Sequence, residues 1–192
     1  MSDKSAVFAE DILFWAKWYT HRDWYKNAPF GHMAIAQDNL FFHCNKLFSF
    51  FPEFRSLFDY RMASINRSLM RVASEHYPRT PSLHIGCPNI GPRFFIQHGF
   101  STIIYAAEIG TDFLINQNVT IGAKSDGGIP RIRDRVQIRT GAVVLGGIEI
   151  GSDCAITANA VVSTSMPSRT IAYAPRTLFR PRYAEDASSG EA

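Results

Sequence analysis

The sequence lacks the charge pattern of a protein that binds nucleic acid. Its 192 residues carry 20 Lys and Arg against 17 Asp and Glu, so the net charge is only +3. No basic run is longer than a pair of residues. A nucleic-acid interface needs basic side chains concentrated on one surface, so we expect no DNA or RNA partner.

Hydrophobic runs of membrane length and the pattern of a secretory leader are also missing. A helix that spans a bilayer needs about 20 consecutive apolar residues, and the sequence has no such stretch. Near the start, Asp3, Lys4, Glu10 and Asp11 interrupt the apolar residues, unlike in a signal peptide. These absences favour a cytoplasmic protein without a transmembrane segment.

Cysteine is scarce and scattered. The three cysteines, Cys44, Cys87 and Cys154, form an odd set without a CxxC spacing. Such a set argues against a disulfide framework and for reduced thiols in the cytoplasm. Cys154 lies at a small interior position of the repeat described next, so we expect it to serve packing.

Aliphatic residues recur every six positions through the second half of the chain. An α-helix repeats its apolar residues every three or four positions and a half-buried strand every second one, so neither produces this period. A period of six predicts a β-solenoid built from hexapeptide coils. The repeating residues are Ile109, Ile115, Ile121, Ile132, Ile138, Val144, Ile150, Ile156 and Val162.

A second position of each repeat supports the same fold. The fourth residue after the aliphatic one is apolar or small, as in Phe113, Val119, Val136, Ala142, Ile148, Cys154 and Ala160. Each unit is then a short strand plus a corner, with the aliphatic side chain on the axis. Burial of an Ile or Val side chain contributes roughly 1.5–3 kcal/mol, so this column alone supplies a large gross stabilisation without a metal or a disulfide.

The chain divides into three expected regions. Residues 1–80 are predicted to be α-helical, residues 81–183 to form the β-helix with a C-terminal arm, and residues 184–192 to be a disordered tail. From Pro52 onward one helical face is apolar, through Phe54, Leu57, Phe58, Ile65, Leu69 and Val72. All three tryptophans also precede residue 80. We interpret this aromatic region as a cap on the first coil; an acceptor or lipid groove and an oligomer contact remain alternatives.

Two irregularities interrupt the six-residue period. The spacing becomes seven between Thr102 and Ile109, and about five extra residues lie between Ile121 and Ile132. Loops that project from a rigid column often carry binding residues. His98 precedes the first irregularity, but a histidine at a coil corner is more often a surface hydrogen-bonding group than a catalytic one.

Four sequence blocks occur in order between residues 83 and 177. They are IGPRFFIQHG at 90–99, NQNVTIG at 116–122, PRIRD at 130–134 and GAVVLGGIEIG at 141–151. These blocks resemble the serine acetyltransferase branch of the hexapeptide-repeat acyltransferases, and residues 52–61 are similar to the helix that precedes the coils in that branch. The resemblance covers about half the chain and implies a mainly β fold, a left-handed parallel β-helix with an N-terminal helical segment, assembled as a homotrimer.

The resemblance also implies a reaction and its residues. In the family, the histidine at the position of His98 is the general base that takes a proton from an acceptor hydroxyl as it attacks acetyl-CoA. Acetyl-CoA is the implied co-substrate, and no metal is implied. The matching acetyl-CoA-binding positions are Gly122, Ala123, Thr140, Gly141 and Ala158.

Departures from the family pattern bear on the acceptor. Serine acetyltransferases carry an acidic residue directly before the catalytic histidine, where this chain has Gln97, and an Arg-His pair where this chain has Gly128 and Ile129. The charged groups of serine would lack those partners, and an unpaired charge in a cleft is costly. The expected acceptor is therefore a sugar hydroxyl of a surface polysaccharide or glycan precursor, bound by Gln97 and Asn116.

A further departure concerns the group that orients the catalytic ring. The family usually places an acid fifteen residues before the histidine, and that position is Leu83 here. The candidates for that role are a backbone carbonyl, His84, Glu108 and Glu75.

Three functional hypotheses follow from these patterns. The first is an acetyl-CoA-dependent sugar O-acetyltransferase of polysaccharide biosynthesis. The alternatives are a serine O-acetyltransferase and a non-catalytic β-helix scaffold, the latter because of Leu83. A zinc hydratase of related fold needs three histidine ligands, and only His84 and His98 lie in the coils.

Overall fold

Helices precede the solenoid in the part of the chain that the structure covers. The computed structural model describes residues 3–20 and 40–178. Its helices are α1 (Lys4–Thr20), α2 (Leu40–Phe50), α3 (Pro52–Ile65) and α4 (Arg67–His76). None of these described helices is both long and apolar enough to cross a membrane. Trp24, most of the expected arm and the tail at 184–192 lie outside the described residues.

Short parallel strands follow and wind into about five coils. They are β1 (Leu83–Ile85), β2 (Phe95–Ile96), β3 (Thr102–Ile104), β4 (Glu108–Ile109), β5 (Leu114–Ile115), β6 (Thr120–Gly122), β7 (Arg131–Ile132), β8 (Gln137–Ile138), β9 (Val143–Leu145), β10 (Glu149–Ile150), β11 (Ala155–Ile156), β12 (Val161–Val162) and β13 (Ile171–Ala172). The strands form three flat faces. Face A has the order β1-β3-β6-β9-β12, face B has β4-β7-β10, and face C has β2-β5-β8-β11-β13. This is the left-handed parallel β-helix that the family resemblance implied.

The predicted aliphatic column forms the core of the solenoid. Every one of its nine members, from Ile109 to Val162, is at most 6% exposed. The second register is buried as well, with Phe113, Val119 and Val136 fully inside, whereas Ile148 is only partly buried. Cys154 is 1% exposed, as its expected packing role requires.

The strand pairing shows that the first irregularity lies elsewhere than predicted. Ile96 pairs with Ile115, and Ile104 pairs with Ile121, so the axial column runs from Ile96 to Ile104 in a step of eight residues. The predicted seven-residue step from Thr102 is wrong. Thr102 is buried at the start of β3, two residues before the axial Ile104, and its hydroxyl donates to the carbonyl oxygen of Asn116 at 3.2 Å, so it lies outside the column. The two extra residues therefore enlarge the corner between β2 and β3.

The helices replace the coil that would otherwise precede the first one. In later coils, the matching backbone carbonyls accept N–H groups from the coil before. In the first coil, the Arg61 side chain donates to the Ile90 carbonyl at 2.6 Å, and the Trp15 indole N–H donates to the Phe94 carbonyl at 2.7 Å. An unsatisfied buried carbonyl costs about 1–3 kcal/mol, so these two side chains close the open end of the solenoid.

A buried ion pair fixes this cap. Arg61 Nε donates to the Asp11 carboxylate at 2.8 Å, and the backbone N–H of Phe94 donates to the same carboxylate at 2.9 Å. The Asp11 side chain is fully buried and Arg61 is 7% exposed. Burial raises the pKa of Asp11, and the positive charge of Arg61 opposes that rise.

The predicted continuous helix is divided at Asn66. The Asn66 side chain accepts the N–H of Leu69 at 3.0 Å, as an N-cap residue does, so α4 starts anew after α3. The change of direction removes Leu69 and Val72 from the apolar face, and they are 49% and 57% exposed. The predicted face holds for Phe54, Leu57 and Phe58, which are buried.

The corners between faces B and C carry an alternating charge ladder. Arg93, Asp112, Arg135, Asp153 and Arg169 each have a positive φ, between 55° and 62°. Arg93 pairs with Asp112 and Arg135 pairs with Asp153, each at 2.6 Å. These ion pairs join neighbouring coils along one edge.

Candidate active site

His98 lies in the enlarged corner between β2 and β3, where the chain turns from face C to face A. Its side chain is exposed, and its backbone has a φ of 60°. Within residues 3–20 and 40–178, its imidazole has no hydrogen-bond or ion-pair partner. Its ring nitrogens are therefore open to a substrate.

Close packing defines the backbone of this corner. Gly99 leaves no room for a side chain, because a Cβ there would lie 2.5 Å from Cγ2 of Ile96. The N–H of Ser101 donates to the Ser82 hydroxyl at 3.0 Å. The main chain on the C-terminal side of His98 is thus held in place.

The structure excludes several of the groups that the sequence offered for orienting the His98 ring. Leu83 is 6% exposed, and its Cδ2 lies 3.1 Å from the Cβ position of Gly99, so hydrocarbon fills the space beneath the corner. Glu108 lies on face B and pairs with two arginines there. Glu75 is 62% exposed and pairs with an arginine of its own helix. Neither acid is positioned at the corner, and His84 points outward from β1.

The predicted acceptor-binding residues come together next to His98. The Asn116 side-chain nitrogen donates to the Gln97 side-chain oxygen at 3.3 Å. Asn116 is 8% exposed, and its Oδ1 has no partner in the part of the chain that is described. The pair therefore presents neutral amide groups beside the candidate base.

Three predicted acetyl-CoA-binding residues share the edge of His98. Thr140 and Gly141 lie at the corner two coils further on, and Ala158 lies one coil beyond that. Strand spacing of about 4.8 Å places them roughly 10 and 14 Å along the edge from the His98 coil. Gly141 has a φ of 71°, and the Asn159 side chain fills the position its Cβ would take. Ala158 is exposed.

The other two predicted residues lie on a different edge. Gly122 ends β6, and Ala123 starts the extra loop between faces A and B. Lys124 of this loop donates to the Ser163 carbonyl at 3.0 Å and so bridges to a later coil. One chain alone thus divides the predicted acetyl-CoA-binding residues between two edges.

Helix α3 brings to the corner a carboxylate that sequence reasoning missed. Glu53 lies in the first turn of α3, and its Cγ is 3.7 Å from the Cβ position of Gly99. No spacing rule connects a helix preceding the coils with a corner inside them, so this contact could not be predicted from the sequence.

Comparisons with known proteins agree with the fold. No family model matches the chain. It is 43% identical over 86 residues to a serine acetyltransferase of Mycobacterium tuberculosis, which covers 43% of this chain and 38% of the relative. It is 35% identical over 135 residues to a serine acetyltransferase of Helicobacter pylori, covering 64% of this chain and 77% of the relative. The crystal structure of Entamoeba histolytica serine acetyltransferase 1 with L-cysteine superposes with a TM-score of 0.58 at 27% identity, over 88% of this chain and 62% of that one.

The coils of six-residue steps, closed by a helical cap, define a left-handed β-helix of hexapeptide repeats. The chain belongs to the serine acetyltransferase family. It spans less than half the length of the first curated relatives it matches. The comparisons do not support the sugar O-acetyltransferase branch that the departures at Gln97 and Ile129 favoured.

Proposed function

We propose that the chain transfers the acetyl group of acetyl-CoA to a hydroxyl group, with His98 as general base. The observation that carries the proposal is an exposed imidazole, without a partner among the described residues, in the enlarged corner of a serine acetyltransferase family member. Imidazole is the side chain best suited to take a proton near neutral pH.

The proposed step uses one proton and two bonds. His98 takes the hydroxyl proton while the hydroxyl oxygen attacks the carbonyl carbon of the thioester. The new carbon–oxygen bond forms, the carbon–sulfur bond breaks, and the imidazolium returns the proton to the departing thiolate of CoA. Such general base catalysis contributes about 10²–10⁴-fold to a rate.

Small residues suit the proposed acetyl-CoA site. Ala123 and Ala158 are exposed, and their short side chains leave neighbouring backbone groups accessible to a pantetheine arm. Thr140 and Gly141 lie on the edge of Ala158, whereas Gly122 and Ala123 lie on another. A neighbouring copy of the chain that brings its second edge to the first would unite the set, so a homotrimer is part of the proposal.

Serine is the acceptor that we propose first. The relatives that establish the family are serine acetyltransferases. A sugar hydroxyl is the second candidate, because Gln97 and Asn116 form a hydrogen-bonded pair of neutral amides beside His98. Neutral amides match hydroxyl groups better than they match an ammonium ion.

The test is thiol release from acetyl-CoA with L-serine, sugars and nucleotide sugars as separate acceptors. We expect acceptor-dependent release by the wild type and a loss of about 10²–10⁴-fold in His98→Ala. His76→Ala is the matched control, because His76 is an exposed histidine at the end of α4. Equal activity of wild type and His98→Ala would refute the proposed base, and failure to bind CoA would leave the scaffold hypothesis.

A further inference from the structure

We propose that Glu53 is the positioning residue of His98 and replaces the acid that Leu83 lacks. This inference rests on the proposed function of His98 as a base. Its starting point is the approach of the Glu53 side chain to Gly99, the residue directly after His98, where Cγ lies 3.7 Å from the Cβ position of the glycine. The carboxylate is one bond further along the side chain.

The backbone of Glu53 is fixed by its neighbours in α3. Phe54 is fully buried, and its ring centroid lies 5.3 Å from that of Trp15. Arg55 donates to the carbonyl oxygens of Phe48, Ser49 and Pro78 at 2.7, 2.7 and 3.1 Å. The first turn of α3 is thus held in place with the Glu53 side chain beside Gly99.

The two side chains complement each other chemically. In the described part of the chain, the Glu53 carboxylate and the His98 imidazole form no hydrogen bond or ion pair, with each other or with another group, so both are available for the contact that we propose. A carboxylate that accepts one ring N–H fixes the ring orientation and tautomer, and it stabilises the imidazolium formed after proton transfer. The Leu83 side chain occupies the space beneath the His98 corner with hydrocarbon, so no acid of the described residues lies there.

A variant series separates orientation from charge. Glu53→Ala removes both the hydrogen-bond acceptor and the negative charge. We expect kcat for acetyl transfer to fall by about 10- to 100-fold, which is less than the full contribution of general base catalysis. Glu53→Gln keeps a hydrogen-bond acceptor without the charge, so its loss should be smaller. The Michaelis constants for acetyl-CoA and the acceptor should stay within about twofold. Glu75→Ala, at an exposed carboxylate of α4, is the control and should leave kcat unchanged.

A second readout does not depend on catalysis. Nitrogen NMR in alkaline buffer, with the His98 signals identified by their absence in His98→Ala, reports which ring nitrogen carries the proton. We expect one tautomer in the wild type and a mixture in Glu53→Ala. His84, the other ring on the neighbouring strand, should not change.

The outcomes are distinct. An identical His98 tautomer distribution in wild type and Glu53→Ala would overturn the inference, whatever the activity. An increase in the Michaelis constant for the acceptor, with kcat unchanged in Glu53→Ala, would also overturn it, since Glu53 would then bind the acceptor. If the wild type transfers no acetyl group to any acceptor, the proposed function fails, and the tautomer measurement still decides whether Glu53 holds the ring.

Discussion

Replacing Arg61 with methionine removes three hydrogen-bond donors from the first coil at once. The side chain donates to the Asp11 carboxylate, to the Ile90 carbonyl and to the Gly91 carbonyl, at 2.8, 2.6 and 2.7 Å. Loss of one partner of a buried ion pair costs about 3–5 kcal/mol. The Ile90 carbonyl adds about 1–3 kcal/mol if it stays buried and unpaired. We expect the free energy of unfolding to fall by about 5 kcal/mol, comparable to the whole stability of a small domain.

The pH dependence of this variant gives a sharper test. Burial raises the pKa of Asp11, and without Arg61 nothing in the ion pair opposes the rise. At Asp11 the folded state then binds more protons than the unfolded state, so the deficit of Arg61→Met relative to the wild type shrinks as the pH falls toward the unfolded Asp pKa of about 3.9. Urea unfolding followed by circular dichroism at several pH values measures both effects. Arg67→Met, at an exposed arginine, is the control. A loss below about 1 kcal/mol, or a deficit that grows in acid, would refute the reasoning.

Two further predictions concern the solenoid edges. Arg93 holds the pKa of Asp112 below its usual range through paired hydrogen bonds, so the carboxylate stabilises the fold above about pH 4 and this contribution is lost as the pH falls through the folded pKa. Asp112→Asn should lower the free energy of unfolding by about 1 kcal/mol at pH 7 and by less below pH 4, as measured by urea unfolding; an equal loss at both pH values would contradict this. Ala158→Trp should weaken CoA binding at least about tenfold in calorimetry, because an indole would cover the proposed pantetheine edge. Val72→Trp, at an exposed site on α4, should bind normally, and normal binding by both variants would place CoA elsewhere.

The sequence predicted the solenoid because a six-residue period reports directly on which side chains reach the axis. Ile109 and Val162 could be placed in the core without any knowledge of the pairing. The six-residue period misplaced Thr102. This residue is as buried as the members of the axial column, but its hydroxyl group donates to the carbonyl oxygen of Asn116. The break at Asn66 was missed because apolar spacing continues across it, although an Asn side chain can cap a new helix.

The residues of the candidate site that lie within the coils could be predicted from the sequence, but the contact made by helix α3 could not. The sequence named His98 as the base and Gln97 and Asn116 as acceptor-binding residues, and Gln97 and Asn116 are hydrogen-bonded to each other next to His98. The contact between Glu53 and Gly99 depends on how α3 lies on the first coil, and no period encodes that placement.

The cap and the proposed site are physically connected. The first coil has no coil before it, so α3 both satisfies its open carbonyls through Arg61 and carries Glu53 to the corner of His98. A carboxylate at position 83 would be buried against Ile96 and Gly99, where an unpaired charge is costly. An acid on the first turn of α3 avoids that cost, because Glu53 is only partly buried and lies at the helix N-terminus, where a negative charge is favourable. Under the proposed roles of His98 and Glu53, acetyl transfer would depend on the cap, and a variant that loosens α3 without touching the corner should lower kcat together with stability.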